Sequence, residues 1–563
     1  MQYRQSGISR SVRAPPLTQH QHPPSCEEAL LAAPAIPQGR RRAQLATRRR
    51  AIARTPPTTP VVAAAACAWS LPGNVSRLAA EHGSHFDSAA LLDLSWRLAA
   101  GERARIVTLG GSVPYGNNCI RPDGAHHRDC SWPARLTHAL REGFPTATIT
   151  HDNLASGGNG VVHILSTLGI VLRERTDLIL LDSLVNDAWR SGSTAASQAL
   201  EALVRTARIL APSAALVVVE AAAPGLGDEV AREKRRVLEH YGVPTLDWHS
   251  AATRAPGALW FPGPIAGTDA TDIVSGRHVG VNALYPDPRR MPWRPSDPSC
   301  GGGVLLSARR APASAQNHPS WRTHQAIADA LVLLWGRAVR RACRHGAGGN
   351  RGPAPSPAYA PSDVAPTAHS RWPASTLWPS ADLASFDVCL APLSVYTTVH
   401  ATALPTTRAE ARRGSSGAVE LAPNGATRGP TSSSGWRYYA DRPNKFGWIG
   451  EAVGATIAFE LRFGAAPRFC LTYLRSYEHV GRVELAVRSV GFRVVVDALW
   501  EDRASQADVL WFGTTQGHDQ TISYNTHYVP LPPNSTHTLE ATLLDTPGRE
   551  GARKFKILQL VSC

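Results

Sequence analysis

Between residues 104 and 342, short apolar runs alternate with segments of helical spacing, and this alternation constrains the fold more than any other feature of the chain. Residues 104–109 form an apolar run ending in glycines, 147–151 and 177–182 read as further strands, and 214–220 is rich in β-branched residues. Residues 132–142, 161–173, 195–210 and 229–240 lie between or after these runs with helical spacing, and 321–341 closes the series as a long amphipathic helix. Strands that alternate with such helices imply βαβ units and a parallel sheet covered on both faces. Ligands of such sheets bind beyond the carboxyl ends of the strands. The loops after the strands are therefore where chemistry is expected.

Residues 250–313 interrupt the pattern with a stretch rich in Pro, Gly and Asp. A long insertion of this kind shapes access to a site or is simply a solvated loop. Residues 344–381, with Gly352-Pro353-Ala354-Pro355-Ser356-Pro357, have the composition of a linker. After it the character changes. Residues 456–463, 468–474, 483–487, 492–496, 509–512 and 555–561 read as short strands split by turn residues, which suggests an antiparallel sandwich. The expected organisation is a basic, largely disordered region over 1–90, an α/β domain over 95–343, the linker, and a β-sandwich over 382–563.

The chain has 563 residues, 43% of them hydrophobic and 18% charged, enough to bury the cores of two or three domains. Its formal net charge of +15 first suggests an anionic partner. The distribution argues against nucleic acid. Residues 1–60 hold ten arginines against two glutamates, in a Pro/Ala-rich stretch without apolar periodicity. No RNA-binding aromatic motif or zinc-finger spacing accompanies them. No run of 18 apolar residues occurs, so no membrane span is evident. The short apolar segment 61–69 follows Arg48, Arg49, Arg50 and Arg54 in the order of a signal or transit segment, although far from Met1, and it reads equally as a low-complexity tail.

The nine cysteines form no CxxC pair, so a zinc site is not expected. Cys119 and Cys130 flank a polar loop, a plausible local disulfide, and Cys389 and Cys563 bracket the last domain with Cys470 between them. Two N-x-S/T sequons, at Asn74 and Asn534, join the cysteines in pointing to a secretory or extracellular location, with an organelle as the alternative.

Four loop segments carry groups suited to catalysis. Leu109-Gly110-Gly111-Ser112-Val113-Pro114-Tyr115-Gly116 follows the first strand, where a serine can present both its hydroxyl and its backbone N–H. Asn153-Leu154-Ala155-Ser156-Gly157-Gly158-Asn159-Gly160 follows the second, and its glycines permit close backbone approach to an oxyanion. Ser183-Leu184-Val185-Asn186-Asp187 follows the third and offers an amide donor. Asn317-His318-Pro319-Ser320 precedes the last helix, a suitable place for a general base. Each segment taken singly has a plainer reading: a turn or phosphate loop, a turn before a helix, a helix cap, a polar loop. The first is not a P-loop, since no Gly-Lys-Ser/Thr follows.

Taken in order, the four segments resemble the blocks of the SGNH/GDSL hydrolase superfamily over residues 104–342. Gly110-Gly111-Ser112 is similar to the nucleophile block, with Gly111 where many members have Asp. Asn153 to Gly158 resembles the glycine block, Val185-Asn186-Asp187 the Gly-x-Asn-Asp block with Leu184 in place of its glycine, and His318-Pro319-Ser320 the histidine block. The resemblance implies a flavodoxin-like three-layer α/β/α domain. It implies Ser112 as nucleophile, His318 as base, and an oxyanion hole of the Ser112 and Gly158 N–H groups and the Asn186 amide. The family usually has Asp three residues before the histidine, and here Ala315 stands there. A Ser-His dyad remains workable, since the third group mainly orients the histidine. A backbone carbonyl, Asn317 or a carboxylate of the insertion such as Asp297 could take that part.

The activity implied is ester hydrolysis without a cofactor, on small-molecule or glycan esters such as O-acetylated polysaccharide. The alternatives are acyl transfer by the same site and a non-catalytic glycan-binding protein. In the last domain, aromatics stand beside polar residues in 435–448, in 473–478 and at Trp500. They suit carbohydrate binding, or they are sandwich core. This domain resembles, less specifically, the β-sandwich appended to some plant and algal SGNH proteins.

Overall fold

The computed structural model describes residues 77, 80–117, 128, 131–172, 175–190, 193–223, 226–254, 318–319, 321–347, 376–377, 392–397, 430–442, 445–500, 505–514, 526–546 and 553–563. Most of the insertion and the linker, with Asn317, Asp297, Ala315, Asn74, Cys119, Cys130 and Cys389, lies outside these residues.

The α/β portion runs β1 (Gly83–Ser84), α1 (Ala89–Ala99), β2 (Arg103–Gly110), α2 (Ser112–Tyr115), α3 (Trp132–Gly143), β3 (Thr148–Asn153), α4 (Val161–Val171) and β4 (Leu178–Asp182). It continues with α5 (Leu184–Arg190), α6 (Ser193–Leu210), β5 (Ala215–Val219), α7 (Asp228–His240), β6 (Thr245–Leu246), α8 (Trp248–Arg254) and α9 (Trp321–Ala347). The strands lie in the order β1-β6-β5-β4-β2-β3. All neighbours from β6 to β3 pair in parallel, and β1 adds antiparallel at the β6 edge. Ignoring β1, this is the doubly wound order of flavodoxin-like sheets, in which the direction of winding reverses beside the first strand. β2 is that strand here, so the turn after it opens at the switch point.

Side-chain alternation sorts the strand residues between two cores. Ala104 and Ile106 of β2, Leu178 and Leu180 of β4, and Val217 and Val219 of β5 face a cluster built with α1, α3 and α9. Val107 and Leu109, Ile179 and Leu181, and Leu216 and Val218 face the opposite cluster, with α4 and α6. Burial of both faces is why β4 and β5 read as continuous apolar runs.

The C-terminal portion adds β7 (Ser394–Thr397), β8 (Ser432–Ser434), β9 (Trp436–Arg442), β10 (Lys445–Gly450), β11 (Thr456–Arg462), β12 (Arg468–Arg475) and β13 (Arg482–Val487). β14 (Phe492–Asp497), β15 (Gln506–Gly513), β16 (Thr526–Tyr528), β17 (Thr536–Leu544) and β18 (Phe555–Ser562) complete it. One sheet runs β16-β15-β12-β18-β10-β9 with β7 also on β18, and the other runs β14-β13-β17-β11-β8. Nearly all pairings are antiparallel, β15 with β16 being parallel. The two sheets enclose an aromatic-rich core that includes Trp436, Trp448, Phe459, Phe469, Tyr473, Phe512 and Phe555. Of the aromatics noted in the sequence, Trp436, Trp448 and Tyr473 are core side chains with Tyr438 packed against them, whereas Tyr477 is exposed and Phe446 lines a cavity. Within the core Phe469 stacks on Phe512 with ring centroids 4.4 Å apart.

The larger sheet is buried on its other face as well. Val395, Cys470, Val509, Trp511 and Val561 alternate with the sandwich-core residues of β7, β12, β15 and β18, and they pack in the same cluster as α4. Linker residue Leu377 joins this layer, and its N–H donates to the buried Glu201 carboxylate of α6 at 2.8 Å. Cys470 is free and buried, and Cys563 is disulfide-bonded. Among the described residues no helix is long and apolar enough to cross a membrane.

Candidate active site

The loops at the carboxyl ends of β2, β3 and β4 are bound to one another by backbone and side-chain amide hydrogen bonds. The Gly111 N–H donates to the Asp182 carbonyl at 2.9 Å, joining the turn after β2 to the end of β4. The Ser156 N–H donates to the Gly110 carbonyl at 3.0 Å, joining the glycine loop to the same turn. The Asn186 amide Nδ2 donates to the Asn159 carbonyl at 3.0 Å, closing the triangle from α5. Asn153 adds a brace: its Nδ2 donates to the Pro114 carbonyl at 2.9 Å, and its Oδ1 accepts from the Ala155 N–H at 3.1 Å.

Glycine is needed at two points of this frame. Gly110 has φ +153°, and a Cβ there would lie 2.1 Å from the Asp182 carbonyl oxygen. At Gly111 a Cβ would fall 1.8 Å from Asn186 Nδ2. Any side chain at that position would require the Asn186 amide to move from the Asn159 carbonyl.

Ser112 opens the short helix α2 and is almost wholly buried, at 4% exposure. As the first helical residue it has no intrahelical acceptor for its N–H, which leaves that donor for a ligand. Its Oγ lies 2.7 Å from His318 Nε2. With the Nδ1-protonated tautomer, the hydroxyl donates to Nε2, the geometry a general base requires. Asn117, which sequence reasoning passed over, places its Nδ2 3.5 Å from the same nitrogen. Its only sequence signal is its place directly after the left-handed Gly116 that ends α2.

The histidine segment also contains His324, in the first turns of α9. Its Nδ1 accepts from the Trp132 N–H at 3.3 Å, and burial, with Arg135 nearby, pushes its pKa down to about 3. His324 is thus a neutral packing group, and His318 is the histidine that reaches the serine. Leu184, which replaces a glycine of the family pattern, is fully buried in the core beneath α5.

Gly158 is buried with φ +91°, and its carbonyl accepts from the Ala507 N–H of β15 at 3.3 Å. A Cβ on Gly158 would lie 2.9 Å from Gln506 Cα, so the sandwich rests directly on the glycine loop. Beside this contact is a cavity of about 150 Å³, lined on one side by Ser156, Asn159 and His163 and on the other by Phe446, Asp441 and Lys554. Ser112 and His318 do not line it. Asn159, whose carbonyl holds the Asn186 amide, is the common wall. Lys554 bonds Asp441, and Lys556 Nζ donates to the same carboxylate at 2.6 Å. Burial opposes ionisation of Asp441, but the two ammoniums hold its pKa below the ordinary carboxylate value. Arg128 also lines the cavity, and its Nη1 donates to the Asn153 carbonyl at 2.7 Å.

No family model matches the chain, and no curated protein matches it. Among solved structures, a two-domain esterase active on acetylated mannans, co-crystallised with mannopentaose, is 15% identical at a TM-score of 0.47, over 85% of this chain and 96% of its own. A GDSL-like lipase from Parabacteroides merdae is 16% identical at a TM-score of 0.27, over 41% of this chain and 95% of its own. Axe2, an acetyl-xylooligosaccharide esterase from Geobacillus, is 17% identical at a TM-score of 0.24 in a single-residue mutant form, over 28% of this chain and 81% of its own. The fold assignment rests on the strand order and the two-sided sheet rather than on these likenesses.

Proposed function

We propose that the chain is a serine esterase that removes acyl groups, acetyl foremost, from carbohydrate hydroxyls. The observation that carries this reading is the 2.7 Å approach of Ser112 Oγ to His318 Nε2 at the switch point of the sheet. Ser112 would attack the acyl carbonyl carbon as its hydroxyl proton passes to His318 Nε2. The oxyanion would be held by the N–H groups of Ser112 and Gly158 and by the Asn186 amide. Collapse of the tetrahedral intermediate breaks the bond to the sugar oxygen, which takes the proton from His318. Water, deprotonated in turn by His318, releases the acid and restores Ser112. A sugar hydroxyl in the place of that water would give acyl transfer.

The carbohydrate class draws support from the cavity where the sandwich meets the glycine loop, in which Phe446 stands among polar side chains such as Asn159, Asp441 and Lys554 and the aliphatic Leu154 and Leu474. The test is hydrolysis of p-nitrophenyl acetate and of acetylated oligosaccharides by the full chain, beside Ser112→Ala and His318→Ala. Both substitutions are expected to abolish turnover of both substrates. Phe446→Ala is expected to raise KM for the oligosaccharide several-fold and leave p-nitrophenyl acetate unchanged. The replacement of the usual aspartate by Ala315 favours a second reading, a glycan-binding protein without turnover. A folded parent chain that binds oligosaccharide and hydrolyses no ester would establish that reading instead.

A further inference from the structure

Next to Asn186 stands a side chain that the ester chemistry leaves unused. Asp187 is fully buried, and its carboxylate ties the exit of the glycine loop to α5 and α5 to α7. Its Oδ1 accepts at 2.7 Å from the N–H of Val161, the first residue of α4 and the exit of the glycine loop. Its Oδ2 accepts from Ser183 Oγ at 2.7 Å and from Lys234 Nζ at 2.8 Å. Lys234 also donates to Ser183 Oγ at 3.1 Å, and its side chain is 1% exposed. It projects from α7, whose N-cap Gly227 lies so close to α5 that a Cβ there would meet Ala188 Cβ at 2.4 Å. The glycine loop and α5 are therefore joined twice, once by the Asn186 amide on the Asn159 carbonyl and once by Asp187 on Val161. Two of the three oxyanion donors belong to these two segments.

We propose that Lys234 is a positioning residue of the ester-hydrolysing site: through Asp187 it locks the loop carrying Gly158 against the helix carrying Asn186 and so fixes the spacing of the oxyanion donors. This rests on the esterase reading above. A buried carboxylate without a cation takes up a proton, which weakens it as an acceptor for the Val161 N–H, or moves toward water, which releases that N–H. Burial works to lower the Lys234 pKa, but Asp187, Glu220 and Asp182 hold it above the ordinary lysine value, so the ammonium persists at neutral pH.

The experiment is a double-mutant cycle in the full chain, read on p-nitrophenyl acetate with active sites counted by a fluorophosphonate probe. Lys234→Met is expected to lower kcat per titrated site by roughly 30- to 100-fold with KM little changed, since small misplacements of catalytic donors have losses of that order. In an Asn186→Ala background the same substitution is expected to lower kcat by less than about 3-fold, because a donor it aligns is already gone. Ser183→Ala, which removes one of the two groups on Asp187 Oδ2, should show a smaller loss with the same background dependence, and it serves if Lys234→Met does not fold. A kcat per site equal to the parent's, or an equal loss in both backgrounds, overturns the proposal. Amide hydrogen exchange over residues 156–163 gives a readout that needs no turnover. Faster exchange in either variant supports the lock, and unchanged exchange overturns it. If the parent and Ser112→Ala are equally inert and unlabelled, the esterase reading itself falls, and exchange alone then judges the hold of Lys234 on the loop.

Discussion

At the scale of single residues, the site depends on absences of side-chain atoms as much as on functional groups. Gly111→Ala would place a methyl group where Asn186 Nδ2 now sits, 1.8 Å away. It is expected to lower kcat on p-nitrophenyl acetate by roughly 10²-fold, as loss of one oxyanion donor does. Combined with Asn186→Ala it should do little further harm, and an additive loss would show that Gly111 acts by another route. Aspartate at this position, although common in the superfamily, should be no better than alanine. The residues of the candidate site were legible as an ordered set of loop segments. That Ser112 and His318, 206 residues apart, lie within hydrogen-bond distance is what the structure adds. Lys234 was not legible, because in sequence it is one of several charges on an amphipathic helix, and nothing local marks the one that points inward. Asn117 and Arg128 were missed for a related reason. Their parts depend on backbone carbonyls and on a histidine that are distant or unremarkable in the sequence.

At the scale of elements, periodicity placed β2 to β5, α3, α4, α6, α7 and α9 within a few residues at most ends, because each has apolar faces repeating at its own period. The first helix, Ala89–Ala99, was overlooked beside the basic region, although Leu91, Leu94 and Leu98 mark its buried face at helical spacing. β17 was overlooked too. Leu539, Ala541 and Leu543 alternate inward, but Leu-Glu-Ala-Thr-Leu-Leu has residues that also suit a helix, and pairing with β11 and β13 decides the matter. The ends of β4 and β5 give a pH prediction. Burial raises Asp182 to about 7 and Glu220 to about 8, even though Lys234 pulls both down; Arg235 also lowers Glu220, and Asp247 raises it. Both carboxyls bind a proton more tightly folded than unfolded. The stabilisation is complete below about pH 4 and is lost as pH rises through 7 to 8, with a slope of up to about 1.4 kcal/mol per pH unit for each group. Glu220→Gln is expected to flatten the fall in melting temperature between pH 5 and pH 8, and an unchanged pH profile would show that this carboxyl does not titrate in that range.

At the scale of the whole molecule, the sandwich and the α/β portion share a core layer. Trp511, Val509, Cys470 and Val561 lie in one cluster with Val161, Leu165 and Leu168 of α4. Trp511→Ala should therefore destabilise both portions together, by on the order of 3 kcal/mol, read as a lower urea midpoint by any probe. The parent is expected to melt in one calorimetric transition, whereas two resolved transitions would mean that the shared layer does not couple the portions. The same layer limits how such a chain can change over generations. A sandwich whose larger sheet is committed on both faces cannot be traded as a cassette. A lineage that exchanged it for another module would have to rewrite α4 in the same stroke, and with α4 the stretch of chain that leads out of the glycine loop. The two halves of the coding sequence are thereby obliged to drift in step, and a chimera that joins this front half to an unrelated back half should emerge insoluble even when its joint falls within the linker.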